Sequence, residues 1–320
     1  MSVPRRYRDF ARGEAHGRSS PYEALANAVA DDPLVLAFLD DLPPSKRQPN
    51  LLFAAARYLL GEPADIGSLR MLARDRRDEL TEVILTRRTQ TNEVARCATL
   101  LPALAMIDGP LALLEVGASA GLTLLPDRYS YDYGDGRVIE GTDPLAPVLN
   151  CRTLGPVPVP SRVPEVIWRA GLDLNPLNVT DDDDMRWLEC LLWPGEQGRA
   201  DRLAAAIATA RREPPTVHRG DLVTGVPAIA AEAPPEATLV IYHSAVLAYV
   251  DERGRRDFAS VVKGMGVVWL SNKEPGVLGG YDTSEGFALI RDGDRPLAVT
   301  DPHGTWVRWV ALRRGMVARG

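Results

Sequence analysis

Thiol chemistry has little to work with in this sequence. Only Cys97, Cys151 and Cys190 occur, far apart and odd in number, and no C-x-x-C pair is present. That argues against a disulfide scaffold or a structural zinc site and fits a reducing compartment. Positive charge is not in excess either. Lys and Arg total 37 against 43 Asp and Glu, a formal net charge of −6, so the clustered cations that a general nucleic-acid binder needs are missing. Nearly all the basic residues are arginine, a bias that genome composition explains as readily as anion binding. No apolar run approaches the ~18 residues of a membrane span. The opening Met1-Ser2-Val3-Pro4-Arg5-Arg6 carries no apolar stretch after its charges, so no signal peptide is expected. The expectation is a cytoplasmic protein that partners neither membrane nor nucleic acid. No internal repeat is visible, and nothing in the sequence speaks to oligomeric state.

What is present suffices for a large fold: 320 residues, 45% of them apolar, room for one large domain or two of roughly 100–200 residues. Residues 1–107 read as helices only. Ser20-Pro21-Tyr22-Glu23 has the form of a capping box, Asp32-Pro33 starts another helix, and residues 50–60 carry apolar residues at helical spacing before Gly61. A further helix is predicted over 91–107. From Gly109-Pro110 the character changes. Residues 111–117 form a short apolar run ending in glycine, the pattern of a buried parallel strand. Residues 129–133 and 137–141 flank Gly134-Asp135-Gly136 as a hairpin, and six prolines between Pro144 and Pro164 mark a loop-rich insertion. Strands are predicted at 166–173, 216–221, 239–243 and 266–271, with helices at 182–192, 199–212 and 252–263. Strand and helix alternate as in a parallel sheet covered by helices. Segments 286–291, 295–300 and 305–312 close the chain as antiparallel strands. The division expected is a helical segment 1–107 and an α/β domain 108–320, with an insertion at about 129–164.

The informative segment is Glu115-Val116-Gly117-Ala118-Ser119-Ala120-Gly121. A glycine at a strand's end lets backbone approach a ligand closely. A second at the start of a helix lets strand and helix pack tightly while helix amides favour a polar ligand. The dinucleotide fingerprint G-x-G-x-x-G is not met, because Ser119 stands at its second glycine. G-x-S-x-G is met literally, which would make Ser119 the nucleophile of a serine hydrolase with a later Asp and His303 as partners. Against this reading, no strand is predicted before residue 111 and no HGGG-like oxyanion segment occurs.

The spacing E-x-G-x-x-x-G resembles the first motif of class I S-adenosylmethionine (SAM)-dependent methyltransferases. That resemblance implies a Rossmann-like sheet with closing antiparallel strands, SAM as cofactor and a small molecule as methyl acceptor. It implies a cofactor pocket of Glu115, Gly117, Ser119 and Gly121, with Asp173 at the ribose, Asp221 near the adenine and Ser244 at the end of the fourth strand. His243, next to it, is the candidate catalytic base, since imidazole titrates near neutrality. Arg88, Gln90, Asn92, Glu93 and Arg96 would hold substrate or the methionine carboxylate. The whole chain also resembles an uncharacterised bacterial family, a domain of unknown function, on 88–93, 114–121, 127–129, 169–173 and 301–304. A metabolite-binding relic of the methyltransferase fold, without turnover, is a third possibility. The run Asp181 to Asp184 reads as a helix start and not a metal site, because four sequential carboxylates cannot converge.

Overall fold

The computed structural model describes residues 1–90, 92–278 and 283–310. The chain divides into two compact units, Met1–Thr91 with Asp181–Ala204, and Asn92–Thr180 with Ala205–Gly320.

Among its described residues the first unit has helices and no strand: α1 (Val3–Phe10), α2 (Ser20–Ala30), α3 (Pro33–Asp40), α4 (Pro49–Leu60), α5 (Ile66–Asp75), α6 (Arg77–Thr86) and α8 (Asp182–Cys190). Asp32 caps α3 by accepting from the Leu34 and Val35 amides, both at 3.0 Å, and Gly61 ends α4 at φ 83°. The capping box expected at Ser20 is not formed. Ser20 is already helical, and Ser19 in the cap position donates its hydroxyl to the Pro194 carbonyl instead. Tyr7, Phe10 and Tyr22 pack around the Phe53 ring, and Trp187 joins the same core while its indole N–H donates to the Arg88 carbonyl at 2.9 Å. Asp181 caps α8, and Arg87 pairs with Asp183 and Asp184, so the aspartate run is a helix start.

The second unit holds α7 (Arg96–Leu104), α10 (Leu222–Ala230) and α11 (Glu252–Gly264) with all twelve strands of the described residues. A further helix, α9 (Gln197–Arg212), begins in the first unit's residues and ends in the second's. The strands are β1 (Leu111–Val116), β2 (Ser130–Asp132), β3 (Val138–Ile139), β4 (Val148–Asn150), β5 (Arg152–Thr153), β6 (Val166–Asp173), β7 (Val217–Arg219), β8 (Thr238–Ser244), β9 (Val268–Lys273), β10 (Phe287–Arg291), β11 (Arg295–Thr300) and β12 (Trp306–Trp309). Nine of them form one sheet in the order β5-β12-β11-β10-β9-β8-β1-β6-β7, while β2, β3 and β4 form a small separate sheet. The run from β7 to β9 is parallel, and β10, β11 and β12 follow as an antiparallel meander. β1 is the middle strand of the parallel run β7-β6-β1-β8-β9, and all six of its residues are buried, as a strand with parallel neighbours on both sides requires. Leu114, Val116, Ile241, Phe258 and Trp269 build the core under α10 and α11.

Several expectations change. α7 covers only Arg96–Leu104 of the helix predicted over 91–107; residue 91 lies outside the described residues. The predicted strand 305–312 is β12, with 311 and 312 outside them. α7 belongs to the second unit, and Asp181–Ala204 to the first, because Trp187 and Cys190 complete the helical core. The turn after β1 leads not into a helix but into a single 3-10 turn, Leu122–Leu124, just ahead of Pro126, whose missing amide and ring disfavour continuing a helix.

Candidate functional site

From β1 the chain moves outward through β6 to β7, then returns to the opposite side of β1 for β8 and β9. This reversal falls beyond the carboxyl ends of β1 and β8, the place where open α/β sheets form a ligand crevice. Gly117 leaves β1 there with φ 78°, its amide donating to the Leu172 carbonyl at 2.8 Å. A methyl group on Gly117 would stand 2.5 Å from Val246 Cγ2, and one on Gly121 2.7 Å from Pro215 Cγ. Both glycines therefore serve the left-handed turn and close protein packing. Ser119 is the strained member. It holds φ 53° without being glycine, at a cost of about 1 kcal/mol. Its amide is fixed by Asp173 Oδ2 at 2.8 Å and its carbonyl accepts from Leu177 N at 3.1 Å. The other Asp173 oxygen accepts from Asn175 N at 2.7 Å. Ser119 is 3% exposed and its hydroxyl has no hydrogen-bond partner.

The register sets Glu115 between Gly171 on β6 and Tyr242 on β8. Thr123 Oγ1 donates to Glu115 Oε1 at 2.5 Å and accepts from Asn92 Nδ2 at 3.3 Å. Asn92 Oδ1 accepts from the Leu122 amide at 2.9 Å, and the Tyr242 hydroxyl donates to the Thr123 carbonyl at 2.9 Å. Glu115 Oε2 is buried without a partner. Burial pushes the Glu115 carboxyl up to about 8, against the lowering influence of the Thr123 hydrogen bond and the Arg96 charge, with Asp173 adding to the rise. At neutral pH it is an uncharged acid, able to donate as well as accept. Arg96, 8% exposed, reaches the Pro302 carbonyl with Nε at 2.8 Å and the Ser244 carbonyl with Nη1 at 3.5 Å.

The structure thus brings Glu115, Ser119, Asp173, Asn92, Arg96 and the Ser244 carbonyl to one end of the central strands. Glu93 is buried beside them, accepting from the Ala95 amide at 3.3 Å. Other predicted residues stand elsewhere. Asp221 is exposed and caps α10 through the Val223 and Thr224 amides. Ser244 Oγ accepts from Asn272 Nδ2 at 3.1 Å. Arg88 and Gln90 belong to the first unit, where Arg88 is exposed. His243, proposed as catalytic base, pairs in register with Val116 and points away from Glu115. It is fully buried against Phe258 and Trp269, and burial, with the Lys273 charge, pulls its pKa down to about 3. His303 sits in a turn whose Asp301 carboxylate accepts the His303 and Thr305 amides. Thr123 and Tyr242 were not singled out from the sequence. Their parts depend on long-range register, and no local motif marks them.

The fold and this crevice define an α/β protein with a large, mostly parallel central sheet and a buried acid at the carboxyl end of its first strand. The family model DUF2332, described as an uncharacterized protein conserved in bacteria, matches residues 4–309, and the chain belongs to that family. No curated protein and no solved structure matches the chain, so the comparisons lend the methyltransferase resemblance no support. Among the described residues no group of three or more His, Cys, Asp or Glu could hold a metal ion, and no helix is long and apolar enough to cross a membrane.

Proposed function

We propose that the second unit binds a SAM-type adenosyl cofactor in the crevice at the ends of β1 and β8 and methylates a small molecule. One observation carries this reading: Glu115 Oε2 and Ser119 Oγ are buried polar atoms without partners, beside Asp173, at the point where the sheet topology reverses. An unmet buried polar atom costs about 1–3 kcal/mol, and a ligand rich in hydroxyl and amino groups would satisfy both. The fit is partial. Asp173 holds the Ser119 and Asn175 amides and keeps further lone pairs for a ribose, whereas Asp221, spent on a helix cap, falls out of the pocket. When bound, the cofactor would supply an electrophilic methyl group. The chain would contribute alignment and exclusion of water, the chief sources of rate in such a transfer, and Glu115 would hold its proton on a carboxyl oxygen at neutral pH.

Calorimetric titration of the full chain with SAM and with S-adenosylhomocysteine tests this. Expected is binding in the micromolar range, about −8 kcal/mol, weakened at least about tenfold in Asp173→Ala with an unchanged circular dichroism spectrum. Failure of both ligands to bind overturns the reading. Binding without any methyl transfer would favour the metabolite-binding relic.

A serine hydrolase is the second reading, favoured by one observation: Ser119 holds the strained conformation of a nucleophile elbow inside a literal G-x-S-x-G. Its hydroxyl, however, has no imidazole partner. Labelling by a fluorophosphonate probe, lost in Ser119→Ala, would establish the hydrolase in place of the methyltransferase.

A further inference from the structure

The opposite face of the same sheet carries buried polar groups that the crevice chemistry does not use. Side chains alternate along a strand, and residues paired in register share a face. His243 pairs with Val116 on one side and with Ser271 on the other, so Ser271, with Trp269 two residues earlier, faces away from Glu115. A cavity of about 390 Å³ opens here, lined by residues of α11, β9 and β10. That volume falls within the roughly 300–1,000 Å³ typical of small-molecule sites.

Much of the wall is apolar: Ala259 of α11, Leu278, Ile290 of β10 and the Trp269 indole. Within that wall two polar groups are left unmatched. Ser271 is 1% exposed and its hydroxyl has no hydrogen-bond partner, and the indole N–H of Trp269, itself 2% exposed, has none either. Neighbouring side chains do not relieve them. His243, directly across from Ser271, is fully buried with both ring nitrogens unmatched. A buried donor without an acceptor is costly, and the cost disappears when a ligand supplies the acceptor.

Charge does not select the occupant. The buried Lys273 ammonium is already engaged, with the Leu278 carbonyl among its partners. Lys263 and Asp294, of opposite sign, are exposed at the cavity's edge. What is unmet inside is neutral: an indole N–H, which only donates, and a serine hydroxyl, which donates as readily as it accepts. Bringing in another charge would add a desolvation penalty that nothing free in the wall offsets. A carbonyl oxygen has two lone pairs and carries no charge, so one such atom can accept from both groups. We propose that this cavity binds a small neutral carbonyl compound with an apolar body. Its oxygen accepts from the Ser271 hydroxyl and the Trp269 indole N–H, and its body packs on Leu278 and Ile290. The proposal does not depend on the crevice at Glu115, which lies on the other face.

Nuclear magnetic resonance of the indole N–H groups in the full chain tests it, with the Trp269 signal assigned by its loss in Trp269→Phe. The probes are acetophenone, α-methylstyrene, which has the same shape with a methylene in place of the carbonyl oxygen, and benzoate. Expected is a saturable downfield shift of the Trp269 signal with acetophenone and no downfield shift with α-methylstyrene. Benzoate should bind more weakly than acetophenone. The acetophenone Kd should rise about threefold to tenfold in Ser271→Ala, the range for one neutral hydrogen bond. The comparison of the three probes uses the unaltered chain, so it decides the matter even if Ser271→Ala fails to fold. No saturable response to acetophenone, equal downfield shifts from acetophenone and α-methylstyrene, or tighter binding of benzoate would overturn the proposal.

Discussion

Glu115 and His243 are one position apart in strand register and perturbed in opposite senses. The Glu115 carboxyl is raised to about 8 from an ordinary 4.5, so between those values the folded state holds a proton that the unfolded state has released. Stability from this group is complete below its unfolded value and is lost as pH rises toward 8. His243 is lowered to about 3 from 6.5, so its stabilising effect is present above 6.5 and lost as pH falls toward 3. The two slopes oppose each other below 6.5, and above it Glu115 acts without that opposition. We therefore expect unfolding free energy to fall by about 1 kcal/mol per pH unit between pH 6.5 and 8. Glu115→Gln should flatten that fall, as measured by urea denaturation across the interval. An unchanged slope in the variant would show that the carboxyl is not the group titrating. The sequence marked Glu115 by its distance from Gly117. It could not reveal the proton, which follows from burial on both faces of β1.

At the scale of the element, the turn between β1 and the Leu122–Leu124 helical turn is the decisive piece. Its position and glycines were legible, since a short apolar run ending in glycine is a local signal. What followed was not: residues 118–125 look helix-compatible, yet Pro126 and the positive φ at Ser119 and Gly121 leave room for only one 3-10 turn. Gly117→Ala is expected to cost about 2–4 kcal/mol, from left-handed strain and overpacking against Val246 together. Adding Val246→Ala should recover the packing part and leave the strain. A thermal-denaturation cycle over the two single variants and the double variant checks this. Strict additivity would mean that the two side chains do not meet. The same turn shows why Asp173 was recognisable while Thr123 was not. Asp173 ends a strand in a readable Gly-Leu-Asp pattern, whereas Thr123 matters only because the backbone folds it back over Glu115.

For the whole molecule, two separate cores imply two cooperative groups. Leu114→Ala removes a fully buried side chain from the sheet core and should cost about 2–5 kcal/mol. In native-state hydrogen exchange, the amides of β1, β6 and β8 are expected to lose protection by that amount while those of α4 keep theirs. Equal losses in both would mean that the units unfold together. The sequence by itself determined the helical opening, the strand–helix alternation, the first parallel strand and the antiparallel close, because period, glycine and proline act over a few neighbouring residues. Only the tertiary structure decided that Asp181–Ala204 completes the helical core and that Asn92, Thr123 and Tyr242 gather around Glu115. It also decided that His243 turns its back on that crevice to stand behind a lysine-lined cavity. These outcomes rest on strand register, and in a sheet a shift of a single residue exchanges one face for the other.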